Sequence, residues 1–472
     1  MKRYEEIKST LETHDQAHLL TFYDELDSAA QESLLDQLEA QDWQQLSELI
    51  ESHVLNEPDV DLPEDVKPAP YYPREPGSDQ EEMYGEARAL GEKLIREGKV
   101  AAFMVAGGQG TRLGWDGPKG TYPATPVEGK TLFQVFAEQL CKTGQKYGVT
   151  PPWYLMTSDL NDADTRAFFE DNSFFGLDKN DVMFFKQGTM PSIGLDGKVL
   201  LADKGHLFVN PDGHGGSLKA LHRSGALSDM QKRGVEQISY FQVDNPNVKC
   251  IDPLFIGLHA QQNAEMSAKM LPKVGPFEKV GNFALVEGRT SVIEYSDIPD
   301  ELAEQRDEAG NLRFNAGSIA IHVLSLDFIK RLNEGEKGFA LPYHRAEKKV
   351  PHLEIETGEQ VEPDSPNAVK LELFVFDALP LADETVILET ERVEEFAPIK
   401  NAEGDDSPAT SKELQSQRAA RWLQACGVDV PMNEDGTVRA RLELSPLTAI
   451  EPTDLEEVEL PNSVAPGTEK VL

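Results

Sequence analysis

Val100-Ala101-Ala102-Phe103-Met104-Val105-Ala106, running directly into Gly107-Gly108-Gln109-Gly110-Thr111-Arg112-Leu113-Gly114, is the stretch on which the fold turns. An unbroken apolar run of this length is a strand buried on both faces, the pattern of a parallel sheet. The glycines at its end permit unusual backbone angles and close approach of a ligand, and the exposed amides of such a loop can face anionic oxygens. Working outward, the same style continues: a helix near 131–147, the run Trp153-Tyr154-Leu155-Met156, a helix near 162–170, Val182-Met183-Phe184-Phe185, and Ile238-Ser239-Tyr240-Phe241-Gln242-Val243. Strands alternating with helices predict an α/β fold, with a central mixed, mainly parallel sheet covered by helices on both faces. Ligands of such sheets sit at the carboxyl ends of the strands.

The flanks read differently. Residues 1 to about 55 repeat leucines at helical spacing (Leu11, Leu19, Leu20, Leu26, Leu34, Leu35, Leu38, Leu46) among many carboxylates, which predicts an amphipathic helical segment with an acidic face toward water. His14 and His18 stand four apart there and receive no role. Pro58 to Pro76 reads as an extended connector, and a boundary follows near residue 95. After about residue 405 a helix fits 411–425, and Asn433-Glu434-Asp435-Gly436 turns into an alternating strand from Val438 to Leu444. The expected organisation is a helical segment and connector over 1–95, a catalytic domain over 96–405, and a small β-rich C-terminal α+β domain over 406–472.

Charge narrows the function. With 83 Asp and Glu against 45 Lys and Arg, the 472-residue chain carries a formal charge of −38, which opposes general attraction to nucleic acid or an anionic membrane. A small phosphorylated ligand is still compatible, because a local nest of amides and a few cations can hold it. Cys141, Cys250 and Cys426 form no CxxC pair, so neither a disulfide framework nor a cysteine zinc site is indicated. Without the apolar core of a signal peptide after Met1, and with no run of about 18 apolar residues, the chain is expected in the cytoplasm.

Two common nucleotide motifs fail at the glycine loop. A dinucleotide fingerprint needs GxGxxG, yet after Gly108 and Gly110 the required third position is Leu113, which disfavours a nicotinamide oxidoreductase. A Walker A motif ending in Gly129-Lys130-Thr131 would need glycine at 124, where Ala124 stands. What remains is a glycine loop with two cations, Arg112 and Lys119, flanking the turn from Gly114 to Pro118. Cations placed so can neutralise charge developing on a transferring phosphoryl group and its leaving pyrophosphate. Asp244 ends the strand Ile238 to Val243, where an open sheet presents it to a ligand, and Mg²⁺ prefers carboxylate together with phosphate oxygens and water. Asp377, after Leu373-Phe374-Val375-Phe376, serves equally well as a structural residue and is left out of the metal set.

The loop, with Pro118-Lys119-Gly120, closely resembles the signature of the UDP-sugar pyrophosphorylase family, especially its eukaryotic-type UDP-N-acetylglucosamine members. The resemblance continues in order through Met156-Thr157-Ser158, Phe174-Phe175-Gly176-Leu177, Pro211-Asp212-Gly213-His214-Gly215-Gly216, Val243-Asp244-Asn245, Glu294-Tyr295-Ser296, Phe314-Asn315-Ala316-Gly317 and Pro398-Ile399-Lys400-Asn401-Ala402, over residues 95–405. It implies a nucleotidyltransferase-like, Rossmann-type fold similar to GT-A, and a uridylyltransferase that joins UTP and a sugar 1-phosphate into UDP-sugar and pyrophosphate with Mg²⁺ (or Mn²⁺). No nucleic acid or membrane partner is implied, and oligomeric state is left open.

Carried over position by position, the resemblance makes Arg112, Lys119 and Lys400 catalytic cations. It makes Gly107, Gly108, Gly110, Thr111, Gln187, Pro211, Asp212 and Gly213 nucleotide-binding, with the Gln187 amide reading the uracil edge. It makes Gly281, Glu294 and Asn315 contacts to the sugar, and Asp244 the metal ligand. Phe374 and Phe376 share one face of a predicted strand, serving either a core or, as the resemblance has it, an N-acetyl cavity. His214 is expected to contact the sugar as well, but departs from the pattern: N-acetylglucosamine enzymes of the family usually carry asparagine there, and glucose-using relatives often a Gly-His-Gly. The expected product is UDP-N-acetylglucosamine, with UDP-glucose, or a noncatalytic UDP-sugar scaffold, as alternatives.

Overall fold

The computed structural model describes residues 2–56, 65–335 and 339–472. The chain divides into two compact units: Met1–Leu62, Gly188–Ser217 and Leu341–Val375 form one, and Pro63–Gln187, Leu218–Ala340 and Phe376–Leu472 the other. The second unit holds the sheet. Its strands run in the order Val66–Pro68, Gly281–Val286, Ala316–Ser325, Gln237–Gln242, Val100–Val105, Trp153–Thr157, Val182–Lys186. The last four pair in parallel, while Ala316–Ser325 and Gly281–Val286 bring antiparallel neighbours, so the sheet is mixed. Met266–Pro272 adds to Ala316–Ser325 and is itself paired in parallel with Thr385–Glu389.

Alternation along the parallel strands explains both covers. Ala102, Met104, Leu155 and Phe241 point to one face, into a core shared with Leu132, Phe133, Phe136 and Leu140 of the helix Leu132–Tyr147. On the other face Phe103 meets Tyr240 edge to face, and the Tyr154 hydroxyl donates to Asp229 of the helix Ala226–Arg233 at 2.7 Å. Within the parallel part the chain starts at Val100–Val105, adds the next two strands on one side, and then crosses to Gln237–Gln242 on the other. That reversal of strand order opens a crevice at the carboxyl ends, where Ala106 and Val243 leave the sheet side by side.

Several flanking expectations change. Part of the proline-rich connector is a sheet edge, since Val66–Pro68 pairs antiparallel with Ala284–Val286; Pro58 and Pro63 lie outside the described residues. The helix Glu81–Arg96, which spans the boundary expected near 95, packs within the second unit on the helix Pro253–Gln261. The late strand shrinks to Arg441–Glu443, pairing in parallel with Glu469–Val471. The C-terminal segment is therefore less β-rich than its alternation implied, because the 18-residue helix Pro408–Ala425 supplies Ala419, Ala420, Trp422 and Leu423 to a core of its own. Among the described residues no helix is long and apolar enough to cross a membrane.

The first unit begins with the helices Lys2–Thr13, Ser28–Glu39 and Trp43–Leu49, the latter two capped by the Asp27 and Asp42 side chains. Their leucines pack with Ile193, Val199, Leu201, Leu353, Val369 and Leu371. His14 and His18 do not share a helix: His14 Nδ1 meets Ser47 Oγ at 2.7 Å, and His18 Nε2 meets the Val199 carbonyl at 2.8 Å.

Candidate active site

In the second unit the glycine loop is shaped by what holds its carbonyls. Asn161 Nδ2 donates to the carbonyls of Ala106 (2.9 Å) and Gly108 (3.2 Å), and Ser158 Oγ donates to that of Gly107 (2.8 Å). With the carbonyls drawn toward 158–161, no described residue accepts a hydrogen bond from the N–H of Gly107, Gly108 or Thr111. Unpaired amides in a row are an anion-binding concavity. Gly107 also lies close to Gln187: a Cβ on it would stand 2.9 Å from Gln187 Oε1 and displace that amide. Gln187, whose N–H donates to the Thr157 carbonyl at 2.8 Å, is thereby brought against the loop. Beyond the short helical turn Thr111–Leu113 the chain doubles back, with Gly110 N–H donating to Gly117 O at 3.0 Å and Gly117 at φ 132°. Doubling back delivers Lys119, whose N–H donates to Gly108 O at 3.1 Å.

Lys119 Nζ lies 3.6 Å from Asp244 Oδ2, joining two predicted residues from distant parts of the sequence. Val243 N–H donates to Val105 O at 3.1 Å, so Asp244 emerges beside the loop. The Lys119 and Asp244 side chains keep 16% and 12% of their surface exposed, and their separation exceeds a hydrogen bond. Arg112 is exposed and has no ion-pair partner among the described residues. The Asp244 carbonyl accepts from Ile399 N–H at 2.8 Å, which sets Lys400 one residue further along; Lys400 Nζ is 3.6 Å from Asp406 Oδ2.

Among the described residues no group of three or more His, Cys, Asp or Glu could cage a metal. A single carboxylate at Asp244 fits Mg²⁺ nonetheless, because that ion keeps waters and is held by one or two carboxylates together with substrate phosphates. Asp377, expected at a strand end, lies instead within the short helical stretch Val375–Leu381.

Three residues expected to contact the sugar also lie in this unit. Gly281 pairs with Ser318, a Cβ on it would lie 3.8 Å from Glu294 Oε1, and Asn315 immediately precedes the strand Ala316–Ser325. Asn315 Oδ1 accepts from Lys273 N–H at 3.0 Å, which commits the carbonyl end of the amide and turns the donating end away.

In the first unit Pro211-Asp212-Gly213-His214 is laced to the end of the strand Ala368–Leu373. Leu373 N–H donates to Asp212 O, Gly215 N–H to Leu373 O (both 2.8 Å), and Val375 N–H to His214 Nδ1 at 3.1 Å. An Nδ1 that accepts is unprotonated, so the ring is neutral, and burial, with a smaller contribution from His344, pushes its pKa down to about 4. His214 stacks on Phe374 at 5.3 Å, and His344 covers Phe374 at 4.4 Å. The shared face expected for Phe374 and Phe376 is not formed: the strand ends at Leu373, and Val375–Leu381 winds with a period near three. Phe376 is buried in the second unit.

Sequence reasoning missed Ser158, Asn161 and Asn245. Ser158 and Asn245 stand inside quoted motifs, and Asn161, three residues after Ser158, has the spacing of a turn in which a side-chain amide takes over backbone partners.

Comparison with known proteins gives one family and consistent relatives. A family profile described as "UTP--glucose-1-phosphate uridylyltransferase" matches residues 64–414. "UDP-N-acetylhexosamine pyrophosphorylase-like protein 1" of Xenopus tropicalis is 39% identical, covering 88% of this chain and 84% of its own. "UDP-N-acetylglucosamine pyrophosphorylase" of Saccharomyces cerevisiae is 39% identical over 72% of this chain and 73% of its own. Among solved structures, the uridine diphosphate N-acetylglucosamine pyrophosphorylase of Trypanosoma brucei in complex with an inhibitor aligns with a TM-score of 0.79 at 26% identity, covering 100% of this chain and 98% of that one.

Proposed function

We propose, for a chain that belongs to the UTP--glucose-1-phosphate uridylyltransferase family, transfer of uridylyl from UTP to N-acetylglucosamine 1-phosphate, giving UDP-N-acetylglucosamine and pyrophosphate. An oxygen of the sugar phosphate attacks the α-phosphorus, the bond to the β-phosphate oxygen breaks, and the electron pair leaves with pyrophosphate. No protein nucleophile is needed, so the chain's part is positioning and charge.

The observation that carries this reading is the Lys119–Asp244 pair at 3.6 Å beside the unpaired amides of Gly107, Gly108 and Thr111, at the carboxyl ends of adjacent parallel strands. The amides and Gly110 cradle the triphosphate, Arg112 and Lys119 neutralise charge as pyrophosphate departs, and Lys400 holds the sugar phosphate. Asp244 would hold Mg²⁺ (or Mn²⁺), which when bound supplies further neutralisation of the phosphates. Gln187 reads the uracil edge, and Asp212 and Gly213 serve the base and ribose. Gly281, Glu294 and Asn315 take the sugar hydroxyls and amide. The compartment proposed is the cytoplasm, a reading that the free Cys141, Cys250 and Cys426 support.

N-acetylglucosamine is preferred because the relatives at 39% identity are named for N-acetylhexosamines. UDP-glucose is the second reading, favoured by the family description and by His214. Pyrophosphate release from UTP with a panel of sugar 1-phosphates, with and without Mg²⁺, tests the assignment. The expected result is fastest turnover with N-acetylglucosamine 1-phosphate and none after chelation. UDP-sugar binding without pyrophosphate release from UTP in the presence of any sugar phosphate would leave only the scaffold.

A further inference from the structure

The segment that carries Lys400 is held in an unusual way, with backbone groups paired to a side chain where sheet pairing has ended. The strand Gln237–Gln242 stops short of Asp244, yet residues 395–399 continue alongside it. Asn245, buried, supplies the missing rungs: its Nδ2 donates to the Glu395 carbonyl at 2.6 Å, and its Oδ1 accepts from Ala397 N–H at 3.0 Å. The next rung is main chain, Ile399 N–H to Asp244 O at 2.8 Å. Glu395, the last residue of the helix Arg392–Glu395, thus turns its carbonyl toward 244–245, and Ala397 and Ile399 beyond the helix turn their N–H groups the same way, alternating as extended backbone does. Lys400, the next residue in that alternation, turns its own N–H the other way, to Asp406 O at 2.6 Å.

The far side of the segment is fixed by charge. Glu395 is buried, and its carboxylate accepts from Lys269 Nζ at 2.6 and 2.5 Å and from Thr390 Oγ1 at 2.9 Å. Lys269 also donates to Asp252 at 2.6 Å, and Asp252 caps the helix Pro253–Gln261. Glu395 is therefore gripped by its side chain from the core and by its carbonyl from Asn245.

We propose that Asn245 is a positioning residue that acts through Lys400, making the proposed metal carboxylate and the proposed sugar-phosphate cation one rigid unit. This rests on the functional reading above for its kinetic consequence but not for its geometry. A group that loosens one rung of such a segment shifts Lys400 without touching substrate, and a misplacement of that kind lowers rate far from the altered contact.

The test is a double-mutant cycle of Asn245→Ala and Lys400→Ala, with kcat and KM for both substrates, read beside amide hydrogen exchange. Asn245→Ala, which removes both hydrogen bonds to the segment, is expected to lower kcat/KM for the sugar 1-phosphate about tenfold or more, with KM for UTP little changed. In the Lys400→Ala background it should cost less than about threefold, since residues acting through one another are not additive. Exchange should quicken at 395–401 and stay unchanged in the helix Leu132–Tyr147. Equal losses in both backgrounds, or exchange quickened throughout the protein, would overturn the proposal. Should Asn245→Ala not fold, Asn245→Asp keeps an acceptor for Ala397, removes the donor to Glu395, and is read by the same cycle. A wild type inert toward UTP and every sugar phosphate would sink the functional reading alone, and the exchange pattern would still decide the positioning role.

Discussion

Lys269 and Lys119 are both lysines of the second unit facing an aspartate, and their surroundings are opposite. Lys269 has a side chain 1% exposed and pairs with Asp252 and Glu395 at 2.6 and 2.5 Å. Burial draws its pKa down, but the two carboxylates outweigh burial and leave it above the ordinary lysine value. Lys119 reaches its one aspartate at 3.6 Å. The first cation is fully committed to the fold. The second stands in the short helical turn Lys119–Thr121, near the unpaired amides of Gly107, Gly108 and Thr111, with no carboxylate at hydrogen-bond distance among the described residues. The difference separates charge that stabilises the protein from charge that can do chemistry.

That contrast can be broken at several points. Lys269→Ala should destabilise the protein by about 3–5 kcal/mol, because two carboxylates are left buried without their cation; denaturant titration measures it, and Lys269→Met should be no rescue. Arg112→Ala should leave the denaturation midpoint alone and lower kcat by a factor worth about 2.7–4 kcal/mol of transition-state stabilisation. A shift in stability with unchanged turnover would place Arg112 with Lys269 instead. Glu443, also buried, sharpens the comparison from the acidic side: its Oε2 accepts from Val127 and Glu128 N–H, both at 2.8 Å, in the loop leading from Lys119. Glu443→Ala should cost about 1–3 kcal/mol of stability by leaving those amides unpaired.

The effect at His214 shows only as a dependence on pH. Its folded pKa, near 4, lies below the ordinary 6.5, so the unfolded chain takes up the proton first as pH falls. The associated stability is fully present above pH 6.5 and is lost as pH drops toward 4, at a slope of at most about 1.4 kcal/mol per pH unit. Melting curves across that window should show a shallower decline for His214→Asn. An identical decline would mean the ring is protonated in the folded protein.

Much of this arrangement was legible in the chain. The runs at 100–106, 153–156, 182–185 and 238–243 form the strands Val100–Val105, Trp153–Thr157, Val182–Lys186 and Gln237–Gln242, the inner ones buried almost throughout as short apolar runs of a parallel sheet should be, and the glycine loop follows as read. Lys119 and Asp244 were legible singly; their meeting depends on a strand crossing that no local pattern encodes. Phe374 and Phe376 misled because alternation assumes the strand continues, whereas it stops at Leu373, where backbone partners come from Asp212 and Gly215 instead. Asn245 was invisible as a brace because its partners, Glu395 and Ala397, lie some 150 residues away.

The central claim is that charge left uncommitted beside Asp244 performs the transfer, and Lys119→Ala tests it most directly, by kcat for pyrophosphate release from UTP and N-acetylglucosamine 1-phosphate on protein shown to be folded. The account predicts a fall of about a hundredfold or more with the denaturation midpoint unchanged. An unaltered kcat would contradict it.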